Sequence, residues 1–471
     1  MMYRLFNKFS SILVIIILFV HLAGAQTIHK ININQAVELG TKNSFDLKNL
    51  YLDYNIQEQK NKELTSAIYP TISASGGLTY YTNVPQIQFP SSDRSIYEVL
   101  NKEGVRDMNG NVIDIENASF SVNNVSFIQP WNTQIGISVN QILFQPDVFV
   151  GLQARKTVLQ FSQDNINVAA DNLKEKIYKA YYAVLITQKQ LEVIISTKQR
   201  LSTLLNDMKQ MYQSGFAEQL DVDKLQVSLN NTEAGQNQII NGLRIGMASL
   251  KSTLGISQKD SLELTQNLDV NSLKMDLISP TDFTYEKRSE IAVLNTAVEL
   301  QKLNFKRYKL SYLPSLSLFY QFQRSGQRNN NFAAITGKPW FWYNTGLVGL
   351  QLNVPIYSGN KNKYLMNQAK YEGEKVQNSL LQTKQFIDLE QEVAVSSLNN
   401  AIINLDVQER NVKLAQEVFS KTKIKYENGL GSSFEVIQAD TELQRAQGSY
   451  FQALYEGMIA KTSFAKAFSK L

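Results

Sequence analysis

The chain has 471 residues and a mass of 53.4 kDa, with 47 basic and 42 acidic residues, two histidines and no cysteine. Without cysteine there are no disulfides, thiolate metal sites, cysteine nucleophiles or lipidated N-terminal cysteine, and two histidines supply little for a metalloenzyme or a Ser/His/Asp hydrolase. The formal charge of +5 is spread along the chain rather than gathered into tracts, which argues against nucleic acid as a partner. No catalysis, cofactor or metal is expected.

Residues 1–25 have the order of an export signal: Arg4 and Lys8, an apolar run from Ile12 to Leu22 broken only by His21, and Ala23-Gly24-Ala25 before the cleavage point. His29, just beyond it, is expected to be solvated. No later stretch is apolar enough to span a bilayer as a helix.

The nine prolines fall at 70, 85, 90, 130, 146, 280, 314, 339 and 355, so 147–279 and 356–471 are free of the strongest helix breaker and should hold long helices. In the first stretch Ile166, Leu173, Ala180, Ile194, Leu201 and Met208 share one heptad position, and Ala170, Ile177, Val184, Leu191, Leu205 and Tyr212 another. In the second, Leu398, Leu405, Val412, Phe419 and Tyr426 keep the same step, the mark of helices packed side by side. Both runs end on a Tyr-x-x-Gly signal, Tyr212 to Gly215 and Tyr426 to Gly429, 214 residues apart. Leu220-Asp221-Val222 falls on Phe434-Glu435-Val436 at the same offset, so the chain is a tandem duplication.

Between the helical stretches lie four alternating segments. Ile72, Ala74, Leu78 and Tyr80 follow Pro70; Ile135, Ile137 and Val139 follow Pro130; Leu316, Leu318, Tyr320 and Phe322 follow Pro314; Val348, Leu350 and Leu352 follow Tyr343. Each predicts a strand of about ten residues with one apolar face and one face of Ser, Thr, Asn and Gln, the pattern of a membrane strand. Trp131, Trp340 and Trp342 precede the second and fourth strands, where an interfacial aromatic girdle would lie. Four strands cannot close a barrel, whose practical minimum is about eight, so the membrane reading requires an oligomer. The connections at 82–130 and 325–343 read as long polar loops.

An exported chain with this duplicated order of helix, two strands and long helical hairpin resembles the TolC-like outer membrane efflux proteins, the outer membrane factors. The resemblance is carried by Ile33-Asn34-Gln35-Ala36-Val37, by Tyr69-Pro70 and Leu313-Pro314, by Arg288-Ser289-Glu290-Ile291, by the turn from Pro355 to Asn360 and by the paired Tyr-x-x-Gly hairpin ends. It implies an α+β membrane protein: a homotrimer with a twelve-stranded outer-membrane β-barrel continued by a long periplasmic α-helical coiled-coil barrel. The chain would then divide into a signal peptide (1–25), repeat one (26–255), an equatorial or linker segment (256–285) and repeat two (286–471).

The resemblance further implies a passive outer membrane channel of a tripartite efflux pump, conducting small molecules to the exterior. Its partners would be a periplasmic adaptor (membrane fusion protein), an inner-membrane pump of RND or ABC type and outer membrane lipid. A type I protein secretion duct is the alternative within the family, and a periplasmic coiled-coil scaffold the rival outside it. The scaffold leaves four duplicated amphipathic strands unexplained.

By the same resemblance Asp221 and Glu435 would line the periplasmic entrance, where acids ringed about an axis attract cations. The residues themselves allow a second reading, since Ser432 with Glu435 fits a capping box and Glu218 with Asp221 suits a helix N-terminus. The hairpin ends, with Gly215 and Phe216 in repeat one and Gly429, Leu430, Gly431 and Ser432 in repeat two, are the candidates for adaptor contact. Tyr212 and Tyr426 read as packing residues. Gly429-x-Gly431 lacks the preceding strand and following lysine of a nucleotide loop.

Overall fold

A computed structural model describes residues 28–92, 94–114, 120–266, 273, 283–329 and 340–471. The expected export signal lies outside the described residues, as does much of the 256–285 segment. The chain forms two compact units, one holding the described residues up to Gln59 with Ala154–Lys302 and Ala369–Leu471, the other Lys60–Gln153 and Leu303–Gln368.

In chain order the elements are β1 (Ile28–Ile31), α1 (Ile33–Asn43), α2 (Phe45–Ser66), β2 (Thr71–Tyr80), β3 (Ile87–Ser92), α3 (Arg94–Lys102), β4 (Phe120–Val125), β5 (Trp131–Phe144), α4 (Pro146–Gln213), α5 (Gln219–Leu254), β6 (Ser261–Leu264), α6 (Ser289–Leu310), β7 (Ser315–Arg328), β8 (Phe341–Asn353), α7 (Lys361–Glu427) and α8 (Ser433–Ala467). The two proline-free stretches do form long helices: α4 has 68 residues and α7 has 67. Pro146 opens α4 at the one helical position where its missing N–H costs nothing.

Both long helices stop in the same way. The N–H of Phe216 donates to Met211 O at 2.8 Å and that of Gly215 to Tyr212 O at 3.0 Å; Leu430 and Gly429 repeat this with Lys425 O (3.0 Å) and Tyr426 O (2.9 Å). These paired bonds require a left-handed residue, which Gly215 (φ +80°) and Gly429 (φ +72°) supply without a Cβ penalty.

The helical unit is held by the heptad residues. Near the hairpin ends Leu201, Leu205 and Met208 of α4, Val222 and Leu225 of α5, Phe419 of α7 and Val436 and Leu443 of α8 form one buried cluster. Each such side chain contributes about 1.5–3 kcal/mol by leaving water. A second cluster joins Ile177, Tyr181 and Val184 to Leu250 and Leu254 of α5 and to Ile31 and Leu262 of a short parallel pair, β1 with β6. Tyr181 donates its hydroxyl to Ile31 O at 3.1 Å. His29 is not solvated as expected: β1 carries it to within 3.4 Å of Asp260 Oδ2, half-buried.

The other unit contains a four-stranded antiparallel sheet in the order β2-β5-β7-β8. Its strands are the four expected ones, but β5, β7 and β8 run to 14, 14 and 13 residues. Within the first loop, read as plain connection, β3 and β4 pair antiparallel and α3 lies between them in sequence. Asp107 also closes a turn there, its Oδ1 accepting from the N–H of Asn109 and Asn111 at 2.8 and 2.9 Å. These segments are too short for periodicity to separate from loop. Among the described residues no helix is long and apolar enough to cross a membrane.

Candidate functional site

The register of the four-stranded sheet sorts its side chains to the strand period of two, apart from an irregularity in β5 between Ile142 and Phe144. Ile72 faces Val139, Ala74 faces Ile137, Ile137 faces Phe322, Tyr320 faces Val348 and Leu318 faces Leu350, which makes one continuous apolar face. Ile72, Ile137, Tyr320, Val348 and Leu350 are all exposed on it. The opposite face is mainly polar and bonds across strands, with Ser73 Oγ to Ser138 Oγ at 2.7 Å, Gln323 Nε2 to Gln134 Oε1 at 3.0 Å and Gln327 Nε2 to the Tyr343 hydroxyl at 3.3 Å.

At the end of the sheet that carries the long loops aromatic residues gather, with Trp131 and Trp342 inside β5 and β8 rather than before them. Trp131 begins β5 with its ring centroid 4.6 Å from that of Tyr80, and Trp340 stands 6.0 Å from Trp342. Trp342 lies against Gly326, where a Cβ would come within 2.9 Å of the indole, and the Arg324 guanidinium sits 5.1 Å from the Trp342 ring centroid. Arg324 and Arg328 share the apolar face, and neither was singled out from the sequence. The signal was available, because they are the only charged residues in β2, β5, β7 and β8.

In the helical unit the two hairpin ends expose apolar side chains at matching places. Phe216 is 81% and Leu430 75% exposed, and Leu220 and Phe434 are exposed one turn on. The charged groups below them depart from a plain capping scheme. Glu218 occupies the N-cap of α5 but accepts no bond there. Asp221 accepts instead from the Ser433 hydroxyl at the start of α8, a tie between the two repeats. Ser432 does cap α8, accepting from the Glu435 N–H at 3.3 Å, yet the Glu435 carboxylate goes to Lys425 Nζ at 3.0 Å. Only half of the expected capping box forms, since an ammonium is a stronger partner for the carboxylate than a backbone N–H. Tyr426 packs, its hydroxyl 3.1 Å from Met208 Sδ, whereas Tyr212 is exposed. Burial pushes the Tyr426 phenol up, with Asp221 and Asp207 adding to it.

Residues 288–468 match the sequence profile of the family described as Outer membrane efflux protein. The outer membrane protein TolC of Vibrio cholerae serotype O1 is 20% identical over 337 residues, spanning 71% of this chain and 76% of TolC. The chain is therefore similar to the TolC-like outer membrane efflux proteins. Also similar is the protease secretion protein PrtF of Dickeya chrysanthemi, 22% identical over 62% of this chain and 63% of PrtF. Among solved structures the Campylobacter jejuni CmeC outer membrane channel shares the fold, with a TM-score of 0.67 and 14% identity over 93% of this chain and 86% of CmeC. The chain is thus an efflux or secretion channel located in the outer membrane, with the mixed helix and strand fold of its relatives.

The helical unit is braced by ion pairs that no local motif announces, although Arg288 and Glu290 themselves belong to the segment that carries the resemblance. Arg288, buried, donates from Nη1 to the carbonyl oxygens of Lys466 and Ala467 at the end of α8, at 3.2 and 3.3 Å, and pairs with Glu290 at 3.1 Å and Glu390 at 2.8 Å. Burial alone would raise the Glu290 carboxyl, but the Arg288 hydrogen bond and charge outweigh it and hold it below the usual range. Glu175 is placed alike: burial raises it, while Lys179 and Lys466, the latter at 2.7 Å, bring it below its ordinary value. Among the described residues no cluster of three or more His, Asp or Glu could hold a metal ion.

Proposed function

We propose that three copies of the chain close one twelve-stranded barrel, and that this channel is the passive exit duct of a tripartite pump that expels small molecules. The observation that carries the reading is the four-stranded sheet itself. Among the described residues its edge strands β2 and β8 each pair on one side only, and its faces divide into exposed apolar and uncharged polar. An open edge is a template for another strand, and β8 of one copy pairing with β2 of the next removes all edges at once. The apolar face then meets lipid, the polar face lines the lumen, and Trp131, Trp340 and Trp342 belong to the interfacial girdle.

In this reading the helical hairpins extend into the periplasm. Gly215, Phe216, Gly429, Leu430, Gly431 and Ser432 meet the adaptor, and Asp221 and Glu435 stand at the entrance. An inner-membrane pump supplies the energy and the chain catalyses nothing. Membrane fractionation tests the core of the proposal. A heat-modifiable trimer in the outer membrane fraction is expected, and a soluble periplasmic species would support the scaffold reading instead. The similarity to PrtF favours a second reading, a duct for secreted protein. Co-purification separates the two: an RND pump with its adaptor marks the efflux duct, and an ABC exporter with a secreted protein substrate marks the secretion duct.

A further inference from the structure

Arg324 and Arg328 pose a problem that the channel itself does not solve. Both lie on the apolar face, where a charge is costly, and the four strands contain no carboxylate to pair with them. Arg324 is exposed and held over the Trp342 ring, 5.1 Å from its centroid. Arg328 is half-buried beside the start of β5, opposite Trp131, and its Nε and Nη1 are buried without a hydrogen-bond partner among the described residues. The Trp342 indole lies over Gly326, midway between the two in sequence. Four residues of strand separate the arginines, about 13 Å at ~3.3 Å per residue.

We infer that this pair is a binding site for the phosphate groups of an outer-leaflet glycolipid; the inference rests on the reading that this end of the sheet lies in the outer leaflet. A guanidinium is the side chain best shaped for phosphate, and two of them on a lipid-facing sheet whose strands carry no acids favour a polyanionic headgroup over a neutral one. Their depth agrees, because they sit at the level of Tyr80, Trp131 and Trp342, the aromatic residues that mark a headgroup region. The indole between them gives the sugar rings a flat surface, and the acyl chains run down the apolar face over Ile135, Phe322 and Val348.

All three tryptophans of the chain belong to this end, so intrinsic fluorescence reads the site directly. The detergent-solubilised full-length protein is titrated with bisphosphorylated lipid A, with the same lipid stripped of both phosphates, and with inorganic phosphate. The same titrations are run on Arg324→Gln/Arg328→Gln and Arg324→Lys/Arg328→Lys, each first checked for recovery in the outer membrane fraction. Lipid A is expected to bind the Gln double variant about thirtyfold more weakly than wild type. The Lys variant should keep most of the affinity, and the stripped lipid should bind all three proteins equally weakly. Equal affinity of wild type and the Gln variant for lipid A overturns the site while leaving the channel reading intact. So does competition by inorganic phosphate as effective as that by lipid A, which would make the ligand a free anion. Absence of the wild-type chain from the outer membrane fraction overturns the site and the channel reading together.

Discussion

Arg200 of α4 and Asp440 of α8 form an ion pair of 2.7 Å that joins repeat one to repeat two inside the helical unit, with the Asp440 side chain only 1% exposed. One carboxylate oxygen takes both Nε and Nη2 of the arginine, and the other takes Gln444 Nε2 at 2.6 Å. The guanidinium also lies 5.0 Å from the Phe419 ring centroid. Removing one partner strands a charge, so Asp440→Ala is expected to lower stability by about 3 kcal/mol. A well-packed apolar pair loses less, and Arg200→Met with Asp440→Leu should come within about 1 kcal/mol of wild type. Thermal unfolding by circular dichroism checks both. A double variant as unstable as the single one would show that the pair does more than satisfy its own charges.

The Asp221–Ser433 bond and the Lys425–Glu435 pair allow the entrance and the packing roles of the two acids to be separated. Ser433→Ala removes a tie between repeats and should cost about 1 kcal/mol. Asp221→Asn with Glu435→Gln should reduce the cation selectivity of the reconstituted channel, and Lys425→Gln, which leaves Glu435 without its counter-charge, should raise it. Reversal potentials in a salt gradient measure these changes. Values unaltered in both variants would assign the acids to packing alone.

Much of this architecture was legible because it is periodic. The seven-residue step found α4 and α7, proline and glycine bounded them, and the two-residue step found β2, β5, β7 and β8. The tryptophans were expected just before two of those strands, and Trp131 and Trp342 lie inside them. What escaped was the pairing of groups distant in sequence. Arg200 meets Asp440 across 240 residues, and Asp221 meets Ser433 across 212, a contact that no local motif announces. The expected capping box misled for a related reason: Lys425, on the far side of the turn, competes for Glu435 and wins by charge. His29 was misplaced because β1 has four residues and pairs with β6, some 230 positions away.

Acid should loosen the helical unit in a defined window. Glu175 and Glu290 are both held below 4.5 in the folded chain, since their cationic partners outweigh the effect of burial. A carboxyl with a lowered folded pKa stabilises the fold above its unfolded value and loses that contribution as pH falls through the folded one. Stability is therefore expected to change little on account of these groups from pH 7 to about 5 and to drop below 4.5. Glu175→Gln should be less stable than wild type at pH 7 and show a shallower loss below pH 4.5, as read from unfolding midpoints across a pH series. An unchanged slope would place the acid sensitivity elsewhere.

The two faces of the sheet predict opposite responses to one added charge. Val348→Arg puts a guanidinium on the apolar face in the middle of β8, where a lipid-facing arginine costs about 2–4 kcal/mol. Gln321→Arg, one strand away on the polar face, should leave assembly intact and shift the channel toward anions. Heat-modifiability on gels and single-channel selectivity give the two readouts. Equal loss of the folded species in both variants would contradict the assignment of faces.

At the hairpin ends, exposed Phe216 and Leu430 have no packing role inside the chain, so their replacement tests adaptor contact without disturbing the fold. Phe216→Asp with Leu430→Asp is expected to weaken adaptor binding at least tenfold, because apolar anchors carry most of the energy of an interface and a charge in their place must be desolvated. Outer membrane recovery and thermal stability should stay at wild-type levels. Gly429→Val provides the contrast. Its φ of +72° penalises a β-branched residue by about 1–2 kcal/mol, so it should weaken adaptor binding and lower the stability of the hairpin together. Loss of stability in the Asp double variant, or retention of adaptor binding in it, would move the contact away from these tips and down the sides of the helices.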